Sequence, residues 1–252
     1  MARLWLAMAF WLVAGSASAT SPVRVAAASS LAFALPEIVA AYRAQGGGPV
    51  EVSYGSSGLL TRQIQRGAPF DLFLSADEGY VVSLARDGLA RDEGRVYATG
   101  ELVLYVHADA GLDPAMPLSE LPGLYASGRL TRLALAHPEH APYGIAAREA
   151  LAASGVWRPL QPVLVIGENV AQAARFVTSG SAEVALLPRA LAQRAEVAAH
   201  GRFAPLRPGL HSPLRQRMVL LRDARAGSEP FFAFLAGREA RAILARHGFG
   251  TP

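Results

Sequence analysis

Short apolar runs alternate with amphipathic stretches along most of this chain, and that alternation constrains its fold more than any other feature. Residues 23–28 (Val-Arg-Val-Ala-Ala-Ala) are expected to form a strand and 31–44 a helix. The same pair recurs as strand 50–53 with helix 59–66, and strand 70–74 with helix 77–86. Further strands are expected at 101–107, 130–136, 162–166 and 183–187, with helices at 143–154, 169–178 and 189–199. A last strand at 218–221 and helices at 231–235 and 239–247 close the pattern. Repeated strand–helix units imply an α/β fold with mainly parallel sheets. The units fall into two groups, 22–100 and 125–200. Pro- and Gly-rich residues 111–128 separate them, and a second loose stretch covers 202–213. No repeat of fixed period is present. Two lobes with a cleft between them are therefore expected: residues 20–100 with 218–252 as the first, and 101–217 as the second.

Composition removes several function classes. The 252 residues contain no cysteine, which excludes disulfide scaffolds, zinc–cysteine sites, iron–sulfur clusters, thiol nucleophiles and a lipid-anchoring cysteine. Formal net charge is +4, and with no lysine all 24 basic side chains are arginines. They are scattered, without the basic block of a nucleic-acid surface. At the N-terminus, Arg3 precedes an apolar run over 4–14, and Ala17-Ser18-Ala19 follows with small residues flanking a cleavage position. This is the pattern of a signal peptide, expected to occupy 1–19 and to be removed after Ala19. A spanning helix would need about 20 apolar residues, more than this run supplies.

The chemistry-bearing residues sit where strands give way to helices. Ser29-Ser30 follow the first strand, and Gly55-Ser56-Ser57-Gly58 the second. His137-Pro-Glu-His-Ala-Pro-Tyr143-Gly144 follow the 130–136 strand, and Gly167-Glu168-Asn169-Val170 the 162–166 strand. In an open α/β sheet these junctions lie at the carboxyl ends of the strands, where ligands bind. Helix starts present unpaired N–H groups and about half a positive charge, so several converging on one point would surround a small anion. Each piece has a plainer reading too: a serine at a helix start is ordinarily an N-cap, Gly-Ser-Ser-Gly is a turn, and Tyr143 is a core aromatic. No catalytic motif competes. Neither Ser56 nor Ser57 has glycine at both −2 and +2, Ser-x-x-Lys is impossible without lysine, and no P-loop or G-x-G-x-x-G occurs. His137 and His140, with Glu139 between them, lie in a proline-containing loop without the spacing of a metal site.

At these junctions the chain resembles the molybdate-binding proteins of bacterial ABC transporters, periplasmic solute-binding proteins of the type II class. The matching segments are Ala26-Ala-Ala-Ser-Ser30-Leu, Ser53-Tyr-Gly-Ser-Ser57-Gly, Gly67-Ala-Pro-Phe-Asp-Leu-Phe-Leu-Ser-Ala-Asp77, His137-Pro-Glu-His-Ala-Pro-Tyr-Gly144 and Gly167-Glu-Asn-Val-Ala-Gln-Ala173. The closing Phe234-Leu, Ile243-Leu and His247-Gly-Phe249 match as well. The resemblance implies a two-lobed periplasmic-binding-protein fold. It also implies an oxyanion bound without counter-charges, by hydroxyls and backbone amides from both lobes. Carried over by motif, Ser29 and Ser30 hold the first contact, Ser57 the second, Tyr143 one from the other lobe, and Val170 a backbone amide. Many members place a tyrosine near Pro188, which here has neither hydroxyl nor N–H; Tyr143 fits a variant with the tyrosine in the Pro-Tyr-Gly loop. The implied function is capture of molybdate and tungstate for a membrane permease with its ATPase. The protein would be a periplasmic monomer, performing no chemistry and using no cofactor, no free metal cation and no nucleic acid. The alternatives are a receptor for sulfate or another tetrahedral oxyanion, and a secreted serine hydrolase.

Overall fold

The computed structural model describes residues 21–252, so the signal peptide expected over 1–19 lies outside the described residues. Ten strands follow in chain order: β1 (Val23–Ala28), β2 (Val50–Gly55), β3 (Leu72–Ser75), β4 (Arg95–Gly100), β5 (Leu102–His107), β6 (Leu133–Ala136), β7 (Leu164–Gly167), β8 (Val184–Pro188), β9 (Gly201–Pro205) and β10 (Leu214–Leu220). The helices are α1 (Ala34–Ala44), α2 (Ser57–Gln65), α3 (Glu78–Arg86), α4 (Leu121–Ala126), α5 (Pro142–Ala153), α6 (Trp157–Leu160), α7 (Val170–Thr178), α8 (Arg189–Ala192), α9 (Ala195–Ala198), α10 (Glu229–Leu235) and α11 (Arg238–Arg246).

The strands form two five-stranded sheets, ordered β2-β1-β3-β10-β4 and β7-β6-β8-β5-β9. In the first, β2, β1 and β3 are parallel, and β10 runs antiparallel between β3 and β4. The second repeats the scheme, with β5 as the reversed strand between β8 and β9. Each sheet thus has one strand against the common direction, and it is the strand that arrives from the other lobe. β5 follows β4 across Glu101 alone, and β10 returns from β9. Strands covered by helices on both faces read as continuous apolar runs, and β3, β6 and β8 are buried throughout.

Several elements differ from the sequence expectation. β4 and β9 are additional. β9 is a half-exposed edge strand with glycine and proline at its ends, a composition that reads as a turn. The helix expected over 31–44 is preceded by a 3-10 turn, Ser29–Leu31. The one expected over 189–199 is split into α8 and α9. β10 starts at Leu214, ahead of the expected 218, because exposed Arg215 and half-exposed Arg217 mask its inward positions.

Candidate functional site

The loops after β1, β2, β6 and β7 converge from both sheets on a small cavity. Ser29, Ser30, Ser57, Tyr143 and Val170, the five residues singled out by sequence, all line it. Ser56, Asn169 and the small residues Ala28, Gly55, Ala76, Ala141 and Pro142 complete the wall, so no charged side chain lines the cavity. Pro188 is not part of it.

The serines here do not cap helices. Neither the 3-10 turn of Ser29–Leu31 nor α2 has a side-chain cap bond. Ser30 is 2% exposed, and its Oγ is buried without a hydrogen-bond partner. A buried hydroxyl left unpaired costs about 1–3 kcal/mol, and this one, on the cavity wall, is available to a partner from outside the chain. Ser57 is fully buried at the first position of α2, and its Oγ accepts the Ala76 amide at 3.0 Å. That bond uses an oxygen lone pair and leaves the hydroxyl proton free to donate into the cavity. On α7, Asn169 Oδ1 accepts the amides of Ala171 and Gln172 at 3.0 and 3.3 Å. The Val170 amide has no acceptor among the described residues, nor have those of Ser30 and Ser57.

Tyr143 is the second residue of α5, behind Pro142, which suits a helix start. Burial drives its phenol far above the ordinary value; the bond from Gln216 opposes this by less. The hydroxyl therefore stays protonated and can donate. Gln216 Nε2 donates to Tyr143 Oη at 3.1 Å. The ensemble is donor-rich and uncharged, suited to a deprotonated anion.

Contacts across the cleft hold the lobes together. The His140 carbonyl accepts the Gly58 amide at 2.9 Å and the Tyr80 hydroxyl at 3.3 Å. A Cβ on Gly58 would lie 2.6 Å from that carbonyl, so only glycine allows the approach. Ser56 Oγ lies 2.9 Å from His140 Nδ1, which explains why this N-cap serine does not cap. His137 stacks on His140 with centroids 4.0 Å apart, and Glu168 lies 3.3 Å from His140 Nε2. Among the described residues no group of three His, Asp or Glu could hold a metal ion. Sequence reasoning missed Ser56 and Gln216 as site residues. For Gln216 a signal existed: a polar residue at an inward position between Leu214 and Met218.

A larger cavity lies at the opposite ends of the first-sheet strands, around Arg24, Asp71 and Arg225. There Asp71 is bound by Arg225 and by the Arg24 amide, so its charge is already matched.

Comparison with known proteins agrees with this architecture. The profile of the family described as bacterial extracellular solute-binding protein matches residues 23–250. The chain is 33% identical to the molybdate-binding protein ModA of Rhodobacter capsulatus, over 97% of this chain and 95% of that one. It is 32% identical to ModA of Escherichia coli K12, over 99% of each. Among solved structures it superposes on the periplasmic molybdate-binding protein of Azotobacter vinelandii with a TM-score of 0.82 and 27% identity, covering 91% of this chain and 99% of that chain. Proteins of this kind bind a solute between two lobes and do not transform it. With two lobes, a cleft lined by helix starts and a profile match from β1 to the C-terminus, the chain belongs to the family of bacterial extracellular solute-binding proteins.

Proposed function

We propose that this protein is the exported substrate-binding component of an ABC importer, capturing molybdate and tungstate in the periplasm and delivering them to a membrane permease driven by an ATPase. The observation that carries this reading is the uncharged cavity ringed by hydroxyls and free helix-start amides from both lobes. Molybdate is a tetrahedral dianion without a proton near neutral pH. Phosphate at that pH keeps a P–OH, whose hydrogen would face only donors. The names of the relatives favour molybdate over other oxyanions. Residues 1–19 serve as the cleaved export signal. The lobes comprise residues 20–100 with 218–252, joined by the rest of β10, and the intervening chain; they close on the ligand as a monomer.

Purified mature protein should show a thermal upshift with sodium molybdate and with tungstate, a much smaller one with sulfate, and almost none with phosphate. Binding stabilises by RT ln(1 + [L]/Kd), so a ligand at ~100 times its Kd adds about 2.7 kcal/mol. Equal shifts from phosphate would defeat the donor-only account, and a preference for sulfate would make the protein a sulfate receptor.

Binding should also weaken in acid. Burial holds His140 below the ordinary histidine value, and the charge of His137 adds to this, as does Arg62; Glu168 and Glu139 pull the other way. A base whose pKa is depressed in the closed form favours closure above its free value, ~6.5, and loses that contribution as pH falls through the depressed one. Molybdate affinity should therefore fall as pH drops below about 6.5, and His140→Gln should flatten the profile. A wild-type profile that is already flat would show that His140 does not govern closure.

A further inference from the structure

A buried polar chain runs from the first sheet to the cavity wall. Gln216 is fully buried on β10. An amide so placed is tolerated only when both ends are paired. Tyr97 Oη donates to Gln216 Oε1 at 2.9 Å, and Gln216 Nε2 donates to Tyr143 Oη at 3.1 Å. The backbone is shaped for this chain. Ala98 faces Gln216 and Val96 faces Arg217, so Tyr97 is the extra residue of a β-bulge. Bulges re-aim side chains beside functional sites, and here Tyr97 and Ala98 are both buried, out of strand alternation. At the far end, a Cβ on Gly100 would lie 2.2 Å from Tyr143 Oη, so the phenol rests against a bare glycine.

The direction of the chain matters. With the Gln216 amide as it stands, Tyr143 accepts from Gln216 and keeps its own proton for another partner. With the amide reversed, Gln216 would take that proton. Tyr97 decides between the two: its other acceptor, the Ser75 carbonyl, is farther away at 3.4 Å, so its proton goes to Gln216 Oε1.

We propose that Tyr97 and Gln216 form a relay that sets the polarity of Tyr143, Gln216 being a positioning residue that keeps the Tyr143 hydroxyl a donor towards the bound oxyanion. The proposal rests on the oxyanion-binding reading. It makes one tyrosine of the second lobe dependent on two residues of the first sheet, so the donor is fully set when the lobes are together.

Calorimetry with sodium molybdate tests it on the wild type, Tyr143→Phe, Tyr97→Phe, Gln216→Met and the two double variants with Tyr143→Phe. Neither Tyr97 nor Gln216 lines the cavity. Tyr97→Phe and Gln216→Met should each weaken binding by about three- to tenfold. On the Tyr143→Phe background neither should weaken it further, because residues acting through one group are not additive. Wild-type affinity in both single variants, or losses that add in the doubles, would overturn the relay. Should Gln216→Met not fold, Tyr97→Phe carries the test alone, since it removes one hydroxyl and leaves the packing. In ligand-free protein, Tyr143→Phe should move the Gln216 side-chain amide proton resonances. If wild-type protein bound no oxyanion, the functional reading would fall. The relay would then be judged by those resonances, and unmoved signals would overturn it.

Discussion

Ser57→Ala is expected to weaken molybdate binding about ten- to a hundredfold, the value of one hydrogen bond to a charged group at 1.4 kcal/mol per decade. It should also lower the stability of the ligand-free protein by about 1–3 kcal/mol, because the buried Ala76 amide loses its acceptor. Ser30→Ala should separate these two effects. Its Oγ has no partner within the chain, so the substitution should cost affinity on a similar scale while leaving the ligand-free protein as stable or slightly more so. Calorimetry and urea unfolding on both variants decide the matter. Unchanged affinity in both, whatever their stability, would place the ligand elsewhere.

Arg225→Leu should act on stability alone. Asp71 lies just before β3 with its side chain 4% exposed, and Arg225 grips it at both oxygens: Nε to Oδ1 at 3.0 Å and Nη2 to Oδ2 at 2.5 Å. The amides of Arg24 and Arg225 add bonds at 2.7 and 3.0 Å. Burial by itself would raise the Asp71 pKa, but these partners together outweigh it and hold the carboxyl below its ordinary value. Removing the guanidinium leaves a buried carboxylate supported by amides only. The expected loss is about 3 kcal/mol, at the low end for a broken buried pair because Arg225 is 38% exposed and water screens part of the interaction. The pH dependence has a definite sign. An acid with a depressed folded-state pKa contributes stability above its free value, ~3.9, and loses it as pH falls through the folded one. The wild type should therefore destabilise steeply in acid, and Arg225→Leu less so. Molybdate affinity of folded Arg225→Leu should match the wild type, since this ion pair lies at the opposite strand ends from the cavity; a large loss of affinity would mean that the two ends of the sheet are coupled.

Much of the site could be read in advance because it is local in sequence. The serines after β1 and β2, the tyrosine behind Pro142 and the valine after Asn169 each sit at a strand–helix junction, and the α/β rule places such junctions at one end of a sheet. The alternation of apolar runs likewise determined the two groups of strand–helix units. It did not reveal β4, because the bulge at Tyr97 breaks the period of two by which strands are recognised. The start of β10 was hidden for a related reason: exposed Arg215 and half-exposed Arg217 flank buried Gln216 and make an inward-facing strand look like a loop.

What the sequence determined by itself was therefore the α/β class, the run of its units and the chemical character of the loops after β1, β2, β6 and β7. Tertiary structure alone decided which donors are spent and which stay free. Ser57 gives a lone pair to Ala76, 19 residues away; Ser56 turns to His140 across 84; Gln216 reaches Tyr97 across 119 and Tyr143 across 73. Periodicity reports whether a side chain is buried, through the geometry of its own strand or helix. Which polar partner it meets there depends on how two sheets and two chain crossings bring distant segments within about 3 Å of each other, and hydrogen-bond geometry has no counterpart in local sequence pattern.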